Sequence, residues 1–122
     1  MIDNKFFLDY VTCRTLLLER VREPTPSRIQ ILTGPRQVGK TTLLLELAHE
    51  LGDSALYFAG DDPTAGLPGF LERVWAEAEK RASQGTAVLL LDEVHKLADW
   101  GTRLKSHYDR LRRQKIPLHV IV

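Results

Sequence analysis

Gly34-Pro35-Arg36-Gln37-Val38-Gly39-Lys40-Thr41-Thr42 fits the pattern G-x-x-x-x-G-K-[ST]. Each residue type there suits the binding of a chain of phosphates. Backbone N–H groups can hold a triphosphate only if the loop curls with several amides pointing inward. Gly34 and Gly39 permit the backbone angles and close approach that a Cβ would block. Pro35, Arg36, Gln37 and Val38 belong to the same nucleotide-binding loop, with the Arg36 side chain read as solvated. The loop opens onto a helix N-terminus, where free amides and the helix dipole favour an anion. Lys40 adds a full positive charge for the β- and γ-phosphates, the Thr41 hydroxyl is placed to ligate Mg²⁺, and Thr42 is expected near the α-phosphate.

A second pair of residues completes this chemistry. An apolar run ends in Leu91-Asp92-Glu93, which puts two carboxylates at the C-terminal rim of a sheet, the rim that also carries the phosphate loop. Asp92 is positioned to hold the water shell of the magnesium. Glu93 can polarise a water for in-line attack on the γ-phosphate as a catalytic base, and binding without hydrolysis would not need it. The guanine-reading Asn-Lys-x-Asp is absent, so ATP is favoured over GTP. Asp92-Glu93-Val94-His95 also matches D-E-x-H, the motif of one class of helicases, a minor alternative because no adenine-reading glutamine motif accompanies it. His95 reads as a helix-entry or pocket-rim residue.

These groups need elements to hold them. Apolar runs alternate with helical patterns, the signature of a parallel sheet with crossover helices. From about Lys5 to Arg22 an amphipathic helix is expected, stopped by Pro24 and Pro26. Ile29 to Thr33 reads as the first strand, Lys40 to Leu51 as the helix after the loop, and Gly52 as its left-handed cap. Ala55 to Ala59 reads as the second strand, with Gly60-Asp61-Asp62-Pro63 as a turn. Pro68 suits the first turn of the next helix, whose apolar stripe of Leu71, Val74, Trp75, Ala78 and Ala82 marks Trp75 as core. Ala87 to Leu91 reads as a central strand, apolar on both faces. Asp99 can cap a helix carrying Leu104, Tyr108 and Leu111, Pro117 ends it, and Leu118 to Val122 reads as the fourth strand.

Composition agrees with a soluble α/β protein. The chain has 122 residues, 17 Lys and Arg against 16 Asp and Glu, and 43% hydrophobic residues, which excludes disorder, collagen and a disulfide scaffold. The single cysteine, Cys13, excludes an intramolecular disulfide and reads as a buried or half-buried thiol. No apolar run approaches the roughly 18 to 20 residues of a membrane span, and the acidic start carries no secretory signal. No membrane association and a cytoplasmic location are expected. A net charge of +1 does not nominate nucleic acid. Arg110, Arg112, Arg113 and Lys115 leave that partner open, although a helix C-terminus favours cations anyway.

The stretch from Gly34 to Leu44, then Leu90-Leu91-Asp92-Glu93-Val94-His95-Lys96-Leu97-Ala98-Asp99-Trp100, then Leu104-Lys105 and Tyr108-Asp109 resemble a prokaryotic AAA-type ATPase family. Its members join an N-terminal P-loop domain to a C-terminal domain of unknown function. His95 departs from the glutamine more usual in that family. The resemblance implies a three-layer α/β/α P-loop NTPase fold with a parallel sheet of order 5-1-4-3-2, and residues 118–122 would then be central. Residues 1–26 are expected as an N-terminal helix and proline hinge, and residues 27–122 as a partial ATPase domain. The fifth strand, the sensor residues, the arginine finger and the C-terminal domain would lie beyond Val122, so a fragment is expected. Its first strand would then be an edge open to self-association or to the missing domain. The implied function is ATP binding and Mg²⁺-dependent hydrolysis, the alternative a nucleotide-holding regulatory module or inactive fragment without useful turnover.

Overall fold

A computed structural model of the chain describes residues 10–22, 27–31 and 39–122. Helix α1 (Tyr10–Val21) precedes strand β1 (Ser27–Gln30), helix α2 (Lys40–Leu51) and strand β2 (Ala55–Ala59). Helix α3 (Phe70–Ala82), strand β3 (Ala87–Asp92), helix α4 (Trp100–Gln114) and strand β4 (Leu118–Ile121) follow. Short 3₁₀ turns cover Gly52–Ser54, Pro63–Gly66 and Val94–Lys96. All described strand pairs are parallel, in the order β1-β4-β3-β2. That is the expected order around the four strands present, with β4 inserted between β1 and β3.

The reason β3 sits at the centre is its composition. Every residue from Ala87 to Asp92 is buried, as a strand paired on both edges and covered on both faces requires. Successive side chains point to opposite faces, and the core divides accordingly. Ala87, Leu89 and Leu91 pack with Leu71, Val74, Trp75 and Ala78 of α3 and with Leu104 and Leu111 of α4. Val88 and Leu90 face the other way, onto Leu43, Leu44 and Leu47 of α2 and Leu17, Leu18 and Val21 of α1. The result is a helix–sheet–helix sandwich in which α1 thickens the layer that holds α2. Between α3 and α4, Arg103 donates to both Glu72 oxygens, with Nη2 2.8 Å from Oε1, and the Trp75 ring stacks on His107 at 4.9 Å. Hydrogen bonding from Arg103 holds the Glu72 carboxyl below its usual range.

Local boundaries differ from expectation in ways that have physical causes. The first strand pairs over Ser27–Gln30, ahead of the expected 29–33, because its register is set by β4, with Ser27 opposite Leu118 and Gln30 opposite Ile121. Ile31 leaves the sheet and is half-exposed, while Leu32 and Thr33 lie outside the described residues, as do residues 5–9 of the expected first helix. Asp99 precedes α4 but does not cap it with its side chain: its backbone is left-handed, φ 53°, whereas a capping side chain needs extended backbone. Pro68 falls in the turn before α3, and Gly69, at φ 79°, makes the entry. Gly52 closes α2 by donating to the Ala48 carbonyl with φ 59° and ψ −129°, a positive-φ conformation outside the left-handed helical well. Among the described residues no helix is long and apolar enough to cross a membrane.

The sandwich predicts a sharp contrast between two leucines. Leu90 on β3 is fully buried and Leu45 on α2 is 48% exposed. In urea denaturation Leu90→Ala should cost about 2–5 kcal/mol and Leu45→Ala no more than about 0.5 kcal/mol. Equal losses would contradict the assignment of the two faces.

Candidate functional site

The last residue of β3 is a carboxylate with 7% exposure, Asp92, and a buried charge must be hydrogen-bonded to be tolerated. Three elements meet that demand. From the first turn of α2 the Thr41 hydroxyl donates to Asp92 Oδ2 at 2.8 Å. From β2 the Tyr57 hydroxyl donates to the same oxygen at 2.7 Å. The backbone N–H of Glu93 donates to Oδ1 at 3.0 Å. The main-chain carbonyl of Asp92 accepts from Gly60 N at 2.8 Å. The sheet register, with Ala59 opposite Asp92, brings these groups together at the C-terminal rim.

The adjacent acid is placed differently. Glu93 has φ 51°, so the chain swings out of the sheet into the 3₁₀ turn at Val94–Lys96, and the Glu93 carbonyl accepts from Lys96 N at 3.1 Å. Its side chain is 31% exposed, with Oε2 3.3 Å from His95 Nε2. Two neighbouring carboxylates thus have separate surroundings: Asp92 is tied inward and Glu93 is half-open, held by one exposed histidine. The turn also explains Gly60. A Cβ there would sit 2.2 Å from the Glu93 carbonyl oxygen, so only glycine lets the end of β2 pass this closely.

Opposite the acids, α2 begins. Gly39 precedes it at φ 86°, no side chain caps it, and its first turn holds no acid. The positive end of the helix is therefore uncompensated within α2. Lys40 and Thr41 stand at this end, Lys40 half-buried and Thr41 exposed although it reaches Asp92. Thr42 is exposed and borders a shallow groove with Arg14, Leu45, Glu46 and His49. Gly34, Pro35, Arg36, Gln37 and Val38 lie outside the described residues. The structure thus brings Thr41 onto Asp92, with Glu93 the next residue of the chain and its side chain against His95. Of the basic residues at the C-terminal end of α4, Arg110 pairs with Glu79 at 3.2 Å and Arg112 lies 5.8 Å from the Tyr108 ring centroid, while Arg113 and, just past the helix, Lys115 are exposed. Trp75 is core, as expected, and Cys13 is half-buried.

Tyr57 is the residue sequence reasoning missed. The available signal was its parity: Ala55 and Tyr57 face the α2 layer while Leu56 and Phe58 face α3 and α4, which puts the phenol on the side of the sheet where Asp92 meets α2. Burial pushes the Tyr57 phenol well above its ordinary range, helped by its bond to Asp92 and by the charges of Asp92, Asp61 and Glu93. Its proton is therefore kept in the folded chain after the unfolded chain has lost it. The stabilisation is fully present below the ordinary value of 10.0 and is lost as pH rises through the higher folded value. Stability measured by urea denaturation should thus fall as pH is raised above about 10, and Tyr57→Phe should flatten part of that fall. A Tyr57→Phe profile parallel to the parent would contradict a half-buried, hydrogen-bonded phenol.

Residues 26–121 match the AAA domain family. The "ATPase family gene 2 protein homolog B" of Mus musculus is 37% identical over 71 residues, which is 55% of this chain and 10% of that protein. The rat protein of the same name (Rattus norvegicus) is 35% identical over 89 residues, 70% of this chain and 12% of that protein. The chain thus spans about a tenth of the length of these curated relatives. No solved structure matches it. A parallel sheet of order β1-β4-β3-β2 with a Thr41–Asp92 contact at its rim, and a family match over 26–121, make this chain a member of the AAA domain family, a family of nucleotide-binding, ATPase-type domains.

Proposed function

We propose that the chain binds ATP and hydrolyses it with Mg²⁺ at the rim where α2 meets β3. The observation that carries this reading is the 2.8 Å bond between Thr41 and the buried Asp92. A hydroxyl at a helix N-terminus and a carboxylate at a strand end are hard oxygen donors. Among the described residues no cluster of three or more His, Cys, Asp or Glu could hold a metal by itself. Such a sparse oxygen set fits Mg²⁺, which keeps several waters and takes its remaining ligands from phosphate oxygens. The AAA domain family generally uses ATP and Mg²⁺, and the match over 26–121 supports the same pair here.

The proposed roles combine the sequence pattern with the described positions of Thr41, Asp92 and Glu93. The uncapped start of α2 would offer backbone N–H groups to the phosphates, and by its sequence pattern the loop Gly34 to Gly39 would add to them. Lys40 supplies a full charge to the β- and γ-phosphates, and Thr42 lies toward the α-phosphate. Thr41 and Asp92 would hold Mg²⁺, Asp92 through the ion's waters. When bound, the ion neutralises charge on the β- and γ-phosphate oxygens. Glu93 accepts a proton from water as the water oxygen bonds to the γ-phosphorus. The bond to the bridging oxygen breaks, and ADP leaves with that electron pair. The half-open setting of Glu93 supports this role, because a base must reach a water while Asp92 remains tied to Thr41 and Tyr57.

Two variants separate binding from chemistry. Lys40→Ala should abolish micromolar binding of a fluorescent ATP analogue with Mg²⁺. Glu93→Gln should keep the binding but lose about two to four orders of magnitude in phosphate release, the usual effect of removing a general base. Turnover equal to the parent in Glu93→Gln would remove Glu93 from the mechanism, and binding indifferent to Lys40→Ala would sink the reading as a whole.

A further inference from the structure

Asp92 Oδ2 takes two hydroxyl donors, Thr41 at 2.8 Å from α2 and Tyr57 at 2.7 Å from β2. The two differ in what they can do next. Thr41 stands exposed at the start of α2, and its oxygen has lone pairs free for a cation while its proton still points at Asp92. Tyr57 projects from β2 with its half-buried ring packed against the core under α2, so the ring sets where its hydroxyl oxygen sits. The carboxylate itself is not self-orienting, since the terminal torsion of aspartate is broad. Among the described residues, the Glu93 N–H on Oδ1, at 3.0 Å, is the other anchor.

We infer that Tyr57 is a positioning residue for the divalent-cation site: its hydroxyl holds Asp92 Oδ2 beside the Thr41 hydroxyl, so that the carboxylate is already placed to take the ion's waters when the ion arrives. The inference rests on the ATP and Mg²⁺ reading above. It assigns to β2 a function that neither the phosphate loop nor the acidic pair contains. A simpler account, in which Asp92 merely satisfies a half-buried phenol, makes the same hydrogen bond but predicts no effect on the metal.

The test is a titration of the full chain with a ribose-labelled fluorescent ATP analogue, first in EDTA and then at graded Mg²⁺, for the parent, Tyr57→Phe, Asp92→Asn and the double variant. Tyr57→Phe keeps the ring and removes only the hydroxyl, and circular dichroism checks the fold. The expected result is unchanged affinity in EDTA with about a tenfold increase in the Mg²⁺ needed for half of the metal-dependent gain, the usual scale for an outer partner of a metal ligand. In the Asp92→Asn background Tyr57→Phe should add nothing, a result that general loosening of the fold would not produce. An unmoved Mg²⁺ midpoint in Tyr57→Phe beside a shifted one in Asp92→Asn would overturn the role of Tyr57 and leave the nucleotide reading standing. Loss of affinity already in EDTA would also overturn it, since the hydroxyl would then be supporting the fold. A parent protein with no Mg²⁺-dependent gain, or one indifferent to Lys40→Ala, would overturn the nucleotide reading and this role together.

Discussion

A charged carboxylate can end a buried strand only if its oxygens are taken up by donors, because an uncompensated charge away from water costs several kcal/mol. At Asp92 that constraint organises the rim. Donors come from α2, from β2 and from the next residue of the chain. The first two can reach only because β3 is paired in parallel with β2, with Ala59 opposite Asp92, and covered by α2 on one face. The sandwich and the candidate site are therefore parts of one arrangement. Loosening the α2 layer would free Thr41 and leave the charge less well satisfied.

The same rim separates two neighbouring acids. Left-handed backbone at a residue other than glycine costs roughly 1–2 kcal/mol, and Glu93 adopts it at φ 51°. The strain is offset by backbone bonds on either side, from Gly60 to the Asp92 carbonyl and from Lys96 to that of Glu93. Its effect is to turn Glu93 outward while Asp92 stays in. Gly60 makes this possible, since its missing Cβ leaves the space that the Glu93 carbonyl occupies. Strain held in this way is a common feature of functional sites.

Much of this was legible in the chain itself. The unbroken apolar run Ala87 to Leu91 announces a central strand, and the acids after it announce the rim. The stripe through Leu71, Val74, Trp75, Ala78 and Ala82 announces the buried face of α3, and all of these residues are core. The order of the strands came from resemblance to a family, since hydrophobic period says which face is buried but not which strand is the neighbour. Tyr57 was missed for that reason, since parity tells which residues share its face but not which residue lies across from it. Its bond to Asp92 depends on cross-strand register, and a slip of one residue would point the phenol to the opposite face. The edge strand Ser27–Gln30, with Arg28 and Gln30 in it, lacks an apolar run of its own and is located by β4. Asp99 misled because its residue type favours a cap while the chain enters α4 through left-handed backbone.

The central claim is that Thr41 and Asp92 act as one unit toward a metal-bound nucleotide. The most direct measurement is a double-mutant cycle with Thr41→Ala and Asp92→Asn, read on nucleotide affinity at saturating Mg²⁺. Residues that share a hydrogen bond and a common ligand should couple by about 1 kcal/mol or more, so that the double variant loses clearly less than the sum of the single losses. Losses that add to within about 0.5 kcal/mol, or that are the same in EDTA as in Mg²⁺, would contradict the account.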